Sequence, residues 1–357
     1  MISINKKIKV LIIDDSAFIR CFLTDLISTT TDLEVVAAVP DPTKAIKFLK
    51  EDKVDVITLD VEMPNMDGLE FLRYLMKFYP KPVLMISSWT HTSSELAVKA
   101  LSLGAIDCVG KPMIGFREGM EKLKAEILDK IRVAAQAQVS KNSFVSLNQK
   151  NLSPVFPASP GTELEITTDK VIAIGASTGG TVALTEIFKK LHPQVPGIII
   201  IQHMSAMFTP SFAASLQQVS HLKVKEAADK DQIITGQALV VPGGKSLTIE
   251  KSGAKYQVKL APPLRDSIYN PSINHTLNSI ANVAGRNAMG IILTGMGDDG
   301  AIGLKAMREK GAYTIAQDEK TSVIYGMPQK AWENGGAVKQ VSLDQVYSEI
   351  HHWSGIK

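Results

Sequence analysis

Short apolar runs, each closed by a polar or glycine-rich turn, recur along this chain and restrict it to one class of fold. Ile8-Lys-Val-Leu-Ile-Ile, Val54-Asp-Val-Ile-Thr-Leu and Pro82-Val-Leu-Met-Ile are almost unbroken apolar segments. Strands of this kind, without polar alternation, suit parallel sheets buried on both faces. Helical patterns separate them, around Ala17–Ser28, Pro42–Glu51, Gly68–Phe78 and Ser94–Leu103. The alternation predicts a doubly wound α/β sheet. The same logic returns later, with strand candidates at Val171–Ile174, Gly197–Gln202, Gln237–Val241 and Met289–Leu293.

Between these stretches, Ser140 to Thr168 is rich in Ser, Asn, Gln, Pro and Thr, with Pro154, Pro157 and Pro160 close together. It carries no apolar period and reads as a linker, following a helix expected from about Phe116 to Ala137. A chain of 357 residues has room for two domains of ordinary size. The expected division is a first domain at 1–130, a linker at 131–169 and a second domain at 170–357.

Composition removes several classes of function. The two cysteines, Cys21 and Cys108, are too few for a disulfide framework or a multi-cysteine metal site, so a reducing cytoplasm is expected. The stretch after Met1 is interrupted by lysines and ends in Asp14 and Asp15, unlike a signal peptide. No apolar run reaches the ~18 residues of a membrane span. Net charge is +3, with −2 in residues 1–130 and +5 in 131–357. Neither part has a dense basic cluster interleaved with aromatics, so nucleic-acid binding is not expected.

In a doubly wound sheet, ligands gather at the carboxyl ends of the strands. Asp14 and Asp15 follow the first strand, Asp60 ends the third, Ser87 ends the fourth and Lys111-Pro112 follows the fifth. Clustered carboxylates repel one another unless a hard cation joins them, and Mg²⁺ takes oxygen ligands of this type. A carboxylate can attack a phosphoryl donor when a metal and a lysine neutralise the developing charge. A single Asp at a strand end is usually only a soluble turn residue; this ordered set points to more.

The second domain opens with Val171-Ile-Ala-Ile-Gly175-Ala-Ser177-Thr-Gly179-Gly180. Gly175 to Gly179 matches G-x-S-x-G, an elbow that exposes a strained serine between strand and helix. Glycine loops also cradle nucleotides, but these glycines fit neither G-x-G-x-x-G nor the Walker pattern. A serine nucleophile needs a base and an orienting acid. Of seven histidines, His203 closes an apolar strand expected beside the first, with His275 its rival. Asp298 and Asp299, in Leu293-Thr-Gly-Met-Gly-Asp-Asp-Gly300, end another strand and are the acid candidates.

With these motifs in place, residues 8–128 resemble a response-regulator receiver domain. Most of residues 170–350 resemble the catalytic domain of the chemotaxis protein-glutamate methylesterases, through Ile174–Gly180, Gln202-His203-Met, Leu293–Gly300, Ala316-Gln-Asp-Glu and Tyr325-Gly-Met-Pro. The resemblance implies a flavodoxin-like receiver joined to a Rossmann-like esterase. It implies Asp60 as the phosphorylation site, Asp14, Asp15 and Asp60 as Mg²⁺ ligands, and Ser87 and Lys111 as phosphate contacts. It assigns the triad to Ser177, His203 and Asp299 and the oxyanion hole to backbone N–H groups of Thr178 and Met296, with no cofactor at the esterase site. The implied activity is hydrolysis of glutamyl methyl esters on chemoreceptors, with deamidation of receptor glutamines, under control of phosphorylation. The implied partners are the cytoplasmic domain of a methyl-accepting chemoreceptor and a sensor histidine kinase. Other hydrolase substrates, or a non-catalytic adaptor role, are the competing classes. The chain departs from the family pattern in four places: Cys108 stands where a switch aromatic is common, Asn270 and Asn274 stand where arginine and aspartate are usual, and the loop Val241-Pro-Gly-Gly-Lys-Ser246 lacks a histidine common at its end.

Overall fold

The computed structural model describes residues 7–64, 67–88, 90–111, 120–137, 170–265 and 267–356. The chain divides into two compact units, residues 1–149 and 150–357. Most of the expected linker, residues 138–169, and Pro112 lie outside the described residues.

The first unit alternates strands and helices: β1 (Ile8–Ile13), α1 (Ala17–Ser28), β2 (Leu33–Val39), α2 (Pro42–Lys50), β3 (Val56–Asp60), α3 (Gly68–Phe78), β4 (Val83–Ser87), α4 (His91–Ser102), β5 (Asp107–Gly110) and α5 (Met120–Gln136). α5 continues past residue 130. The strands pair in parallel in the order β2-β1-β3-β4-β5, which is the flavodoxin-like arrangement. β3 and β4 are buried along their whole length, as their largely apolar sequences require, with Thr58, Asp60 and Ser87 the polar exceptions. Helix starts are set locally. Ser16, Asp41, Asp67 and Thr90 each accept a backbone N–H of the following first turn. Gly68 lets α3 begin directly against β3, since a Cβ there would lie 2.2 Å from the Asp60 carbonyl oxygen.

The second unit runs β6 (Val171–Ala176), α6 (Gly180–Phe188), β7 (Gly197–Gln202), α7 (Thr209–Val219), β8 (Lys223–Glu226), β9 (Gln232–Ile233), β10 (Gln237–Val240), β11 (Ser246–Ser252), β12 (Lys255–Ala261), α8 (Ile273–Ala284), β13 (Ala288–Ile292), α9 (Ala301–Glu309), β14 (Tyr313–Gln317), α10 (Met327–Glu333), β15 (Lys339–Val341) and α11 (Leu343–Ser354). Seven strands form a parallel sheet in the order β15-β14-β13-β6-β7-β10-β8. Ile198, Ile199, Ile200 and Ile201 of β7 are fully buried, each side chain contributing roughly 1.5–3 kcal/mol through removal from water. Strand order reverses between β6 and β13, so the crevice of this sheet opens at their carboxyl ends. A three-stranded antiparallel sheet, β11-β12-β9, is an addition that the sequence reading did not anticipate.

Candidate functional site

Backbone bonds beyond the strand ends fix the crevice of the second unit. The Ser177 N–H donates to the Thr294 carbonyl (3.0 Å), and the His203 N–H donates to the Ala176 carbonyl (3.0 Å). Ser177, His203 and Asp299 therefore emerge from the neighbouring strands β6, β7 and β13 at the same edge. The elbow's left-handed step falls on Gly179 (φ 79°), which also starts α6. Ser177 itself does not have a positive φ, and glycine accepts that conformation at little steric cost. Gly295 completes the fit: a Cβ there would lie 2.7 Å from the Ser177 Cβ and 2.4 Å from the Met327 sulfur.

His203 and Asp299 meet directly, Nε2 to Oδ2 at 2.9 Å, with side chains only 9% and 6% exposed. The first turn of α8 holds the carboxylate. The Ile273 N–H donates to Oδ2 (2.8 Å), the Asn274 N–H to Oδ1 (2.9 Å) and the Ser272 hydroxyl to Oδ1 (3.3 Å). A helix N-terminus is a favourable place for an anion. Burial opposes ionisation of Asp299, but the bond to His203 and these amides outweigh it and hold its carboxyl below the usual carboxylate range. The other imidazole nitrogen, Nδ1, is buried and has no hydrogen-bond partner among the described residues. The rival residues separate cleanly: Asp298 is exposed while Asp299 is buried, and His275 lies in the first turn of α8, where its backbone N–H meets Ser272 Oγ. Thr178 is buried beside Ser177, whereas Met296 is 41% exposed in the loop after β13.

Several supporting residues carried no assigned role in the sequence. The Gln202 side-chain amide donates to the Ser177 carbonyl (2.8 Å) and ties the elbow to the end of β7. The Thr294 hydroxyl donates to the Thr178 carbonyl (3.0 Å) and accepts the Ile324 N–H (3.0 Å). Asn270 and Asn274 have structural partners: Asn270 Oδ1 accepts the Leu264 N–H (2.8 Å), and Asn274 Oδ1 accepts the Gly303 N–H (2.8 Å). The strand-end position of Gln202 was its one local signal; the others depend on contacts far apart in the chain.

The first unit brings its acidic residues together as expected. Carboxylate oxygens of Asp14, Asp15 and Asp60 lie within 4.8 Å of one another. Lys111 Nζ is 2.7 Å from Asp60 Oδ2 and 3.0 Å from Asp14 Oδ2. Burial, with the charge of Asp14, pushes the Asp60 carboxyl up to about 7 against the pull of Lys111. Burial also raises the Asp14 carboxyl. Two crowded carboxylates that resist ionising, beside a third that is exposed, form a donor set that suits a hard oxygen-seeking cation. The buried Ser87 hydroxyl donates to the Ser93 carbonyl of α4 (3.0 Å). Cys108 is buried in β5, and burial pushes its thiol well above the ordinary range.

Residues 10–124 match the family described as response regulator receiver domain, and residues 172–350 match CheB methylesterase. A protein-glutamate methylesterase/protein-glutamine glutaminase 1 of Geobacter metallireducens is 48% identical over 98% of this chain and 96% of its own length. The protein-glutamate methylesterase/protein-glutamine glutaminase of Salmonella typhimurium is 44% identical over 96% of each chain. The crystal structure of the Thermotoga maritima CheB methylesterase catalytic domain superposes with a TM-score of 0.50 at 31% identity, covering 52% of this chain and 98% of that one. Among the described residues, no helix is long and apolar enough to cross a membrane. The chain belongs to the protein-glutamate methylesterase/protein-glutamine glutaminase family and joins a response-regulator receiver domain to a CheB methylesterase domain.

Proposed function

We propose that this chain hydrolyses glutamyl methyl esters on the cytoplasmic domain of a methyl-accepting chemoreceptor, releases methanol, and deamidates receptor glutamines at the same site. The observation that carries the proposal is the buried His203–Asp299 pair beside the Ser177 elbow, with one imidazole nitrogen unpartnered among the described residues. Asp299 accepts the Nε2–H of His203, which leaves Nδ1 as the basic nitrogen. Nδ1 takes the Ser177 proton as Oγ attacks the ester carbonyl carbon. The oxyanion is met by backbone N–H groups of Thr178 and Met296. The imidazolium then returns its proton to the departing methoxide, giving methanol and an acyl-serine. Water repeats the cycle: Nδ1 takes its proton, hydroxide adds to the acyl carbon, and Ser177 leaves reprotonated. Asp299 keeps its charge throughout, because three protein donors besides the imidazole hold it ionised.

In the same proposal the receiver occupies residues 1–130 and the esterase 170–357, with 131–169 as linker, and the protein works in the cytoplasm. Asp60 accepts a phosphoryl group from a sensor histidine kinase. Lys111 and the Ser87 hydroxyl would contact its oxygens. Asp14, Asp15 and Asp60 would hold Mg²⁺, which when bound neutralises these carboxylates and the charge developing during transfer. Phosphorylation raises the esterase activity.

The test is methanol release from methylated chemoreceptor of the same cell by the full-length chain with Mg²⁺, with and without a small phosphodonor. Release should rise with the donor in the parent but not in Asp60→Ala, and Ser177→Ala should lose on the order of 10⁴-fold in kcat. A folded parent that releases no methanol in either condition would overturn the proposal.

A further inference from the structure

The imidazole of His203 has a third neighbour that neither the triad nor the family pattern assigns. The Tyr269 ring lies parallel to it, with centroids 4.3 Å apart and an interplanar angle of 6°. From this geometry we propose that Tyr269 is a positioning residue for the reaction, holding the plane of the His203 base and laying an aromatic face against the imidazolium that forms as the barrier is crossed; the inference rests on the esterase assignment above.

Three features support the role. The segment that carries Tyr269 is anchored at short range. The Tyr269 N–H donates to Ser267 Oγ (3.2 Å), and the Ser267 hydroxyl donates to the Tyr269 carbonyl (2.6 Å). Asn270, next in sequence, is fixed through Leu264 and through the Gly244 N–H, which donates to its carbonyl (3.0 Å). The same segment runs on into Ser272, Ile273 and Asn274, which hold Asp299. One short stretch therefore controls both the acid, through backbone N–H groups, and the base, through an aromatic face. At its far end the Tyr269 ring reaches the glycine loop that bears Met296, since a Cβ on Gly297 would lie 3.2 Å from Oη.

The chemistry favours an aromatic here. Nδ1 gains a proton in each half-reaction, so the imidazole is cationic at the moment the barrier is crossed. The negative face of an aromatic ring stabilises a cation laid against it. The same ring excludes water from one face of the imidazole and so strengthens its pairing with Asp299. An aliphatic side chain of similar bulk would retain the packing and the exclusion of water but not the π face.

The test compares Tyr269→Leu and Tyr269→Phe with the parent in the full-length chain, with Mg²⁺ and a small phosphodonor, following methanol release across receptor concentrations. Thermal unfolding establishes that each variant is folded. The Leu variant should lose about tenfold in kcat with KM within about twofold of the parent, and Phe should restore kcat to within about twofold. A Leu variant at the parent's kcat would overturn the inference. So would a rise in KM at constant kcat, which would place the ring against substrate. A Phe variant as slow as Leu would also overturn it, because the hydroxyl and not the ring face would then matter. If the parent itself releases no methanol, the esterase assignment fails; if the parent is active and Leu is unaffected, only the role of Tyr269 fails.

Discussion

Replacing Asp299 by asparagine tests the centre of the site with a change of one heavy atom, no change of heavy-atom shape, and one unit of charge. In the parent, Oδ2 accepts from His203 Nε2 and the Ile273 N–H, and Oδ1 accepts from the Asn274 N–H and the Ser272 hydroxyl. Asparagine has one acceptor and one donor end. If its oxygen takes the Oδ2 place, its NH₂ faces the Asn274 N–H at a distance meant for a hydrogen bond. If it turns over, the NH₂ faces His203 and Ile273, and the imidazole must carry its proton on Nδ1, where Ser177 needs a base. Either orientation leaves a buried donor without an acceptor, costing about 1–3 kcal/mol, in addition to weakened charge-assisted bonds. A loss of about 2–3 kcal/mol in a unit of this size corresponds to roughly 5–10 °C in Tm. Loss of the charge that stabilises the imidazolium, with the wrong tautomer, should lower kcat by 10³–10⁴, or about 4–5.5 kcal/mol in the barrier. KM should change little. The assay is methanol release beside thermal unfolding. Asp299→Asn with kcat within tenfold of the parent and an unchanged Tm would refute the reasoning. The pH dependence has a defined sign. The folded carboxyl of Asp299 is depressed, so its stabilising contribution is complete above the ordinary carboxylate pKa of about 4 and is lost as pH falls through the folded value. The stability gap between parent and Asp299→Asn should therefore narrow in acid.

Two further outcomes are expected. Gly295→Ala would place a Cβ 2.4 Å from the Met327 sulfur and 2.7 Å from the Ser177 Cβ; it should cost about 1–3 kcal/mol and about 10² in kcat by displacing the nucleophile, and unchanged turnover would show that the loop yields freely. In native protein at pH 8, an alkylating thiol reagent should modify exposed Cys21 and spare Cys108, whose thiol is buried and pushed up; peptide mass spectrometry reads this directly, and equal labelling would mean that β5 opens.

Much of the scaffold was legible because its signals are local. The expected helix at 17–28 appears as α1, and Gly197–Gln202 is β7 in full. β2 was counted in the strand order but given no bounds, and β8 was not named, because their sequences mix polar with apolar residues: β2 has Glu34 exposed and β8 begins with exposed Lys223. The hairpin of β11 and β12 was missed for a related reason. It buries Leu247, Ile249, Tyr256 and Val258 against α8 and its neighbours, while the alternate residues face outward, a pattern that competes poorly with unbroken apolar runs. The choice between Asp298 and Asp299 could not be made from residue type or spacing.

By itself the sequence determined that the chain would form parallel sheets with chemistry at the carboxyl strand ends, because unbroken apolar runs can only be buried on both faces and glycine-rich turns must follow them. It also determined that Ser177, His203 and the aspartate pair would reach one edge. Only the tertiary structure decided that Asp299 turns inward onto the first turn of α8, that His203 meets it through Nε2 with Nδ1 lacking a hydrogen-bond partner among the described residues, and that Tyr269 covers the imidazole face. The reason is physical: the acid must be buried to pair with the base, and the donors that keep it ionised come from a helix more than twenty residues away in sequence, so no local pattern records them.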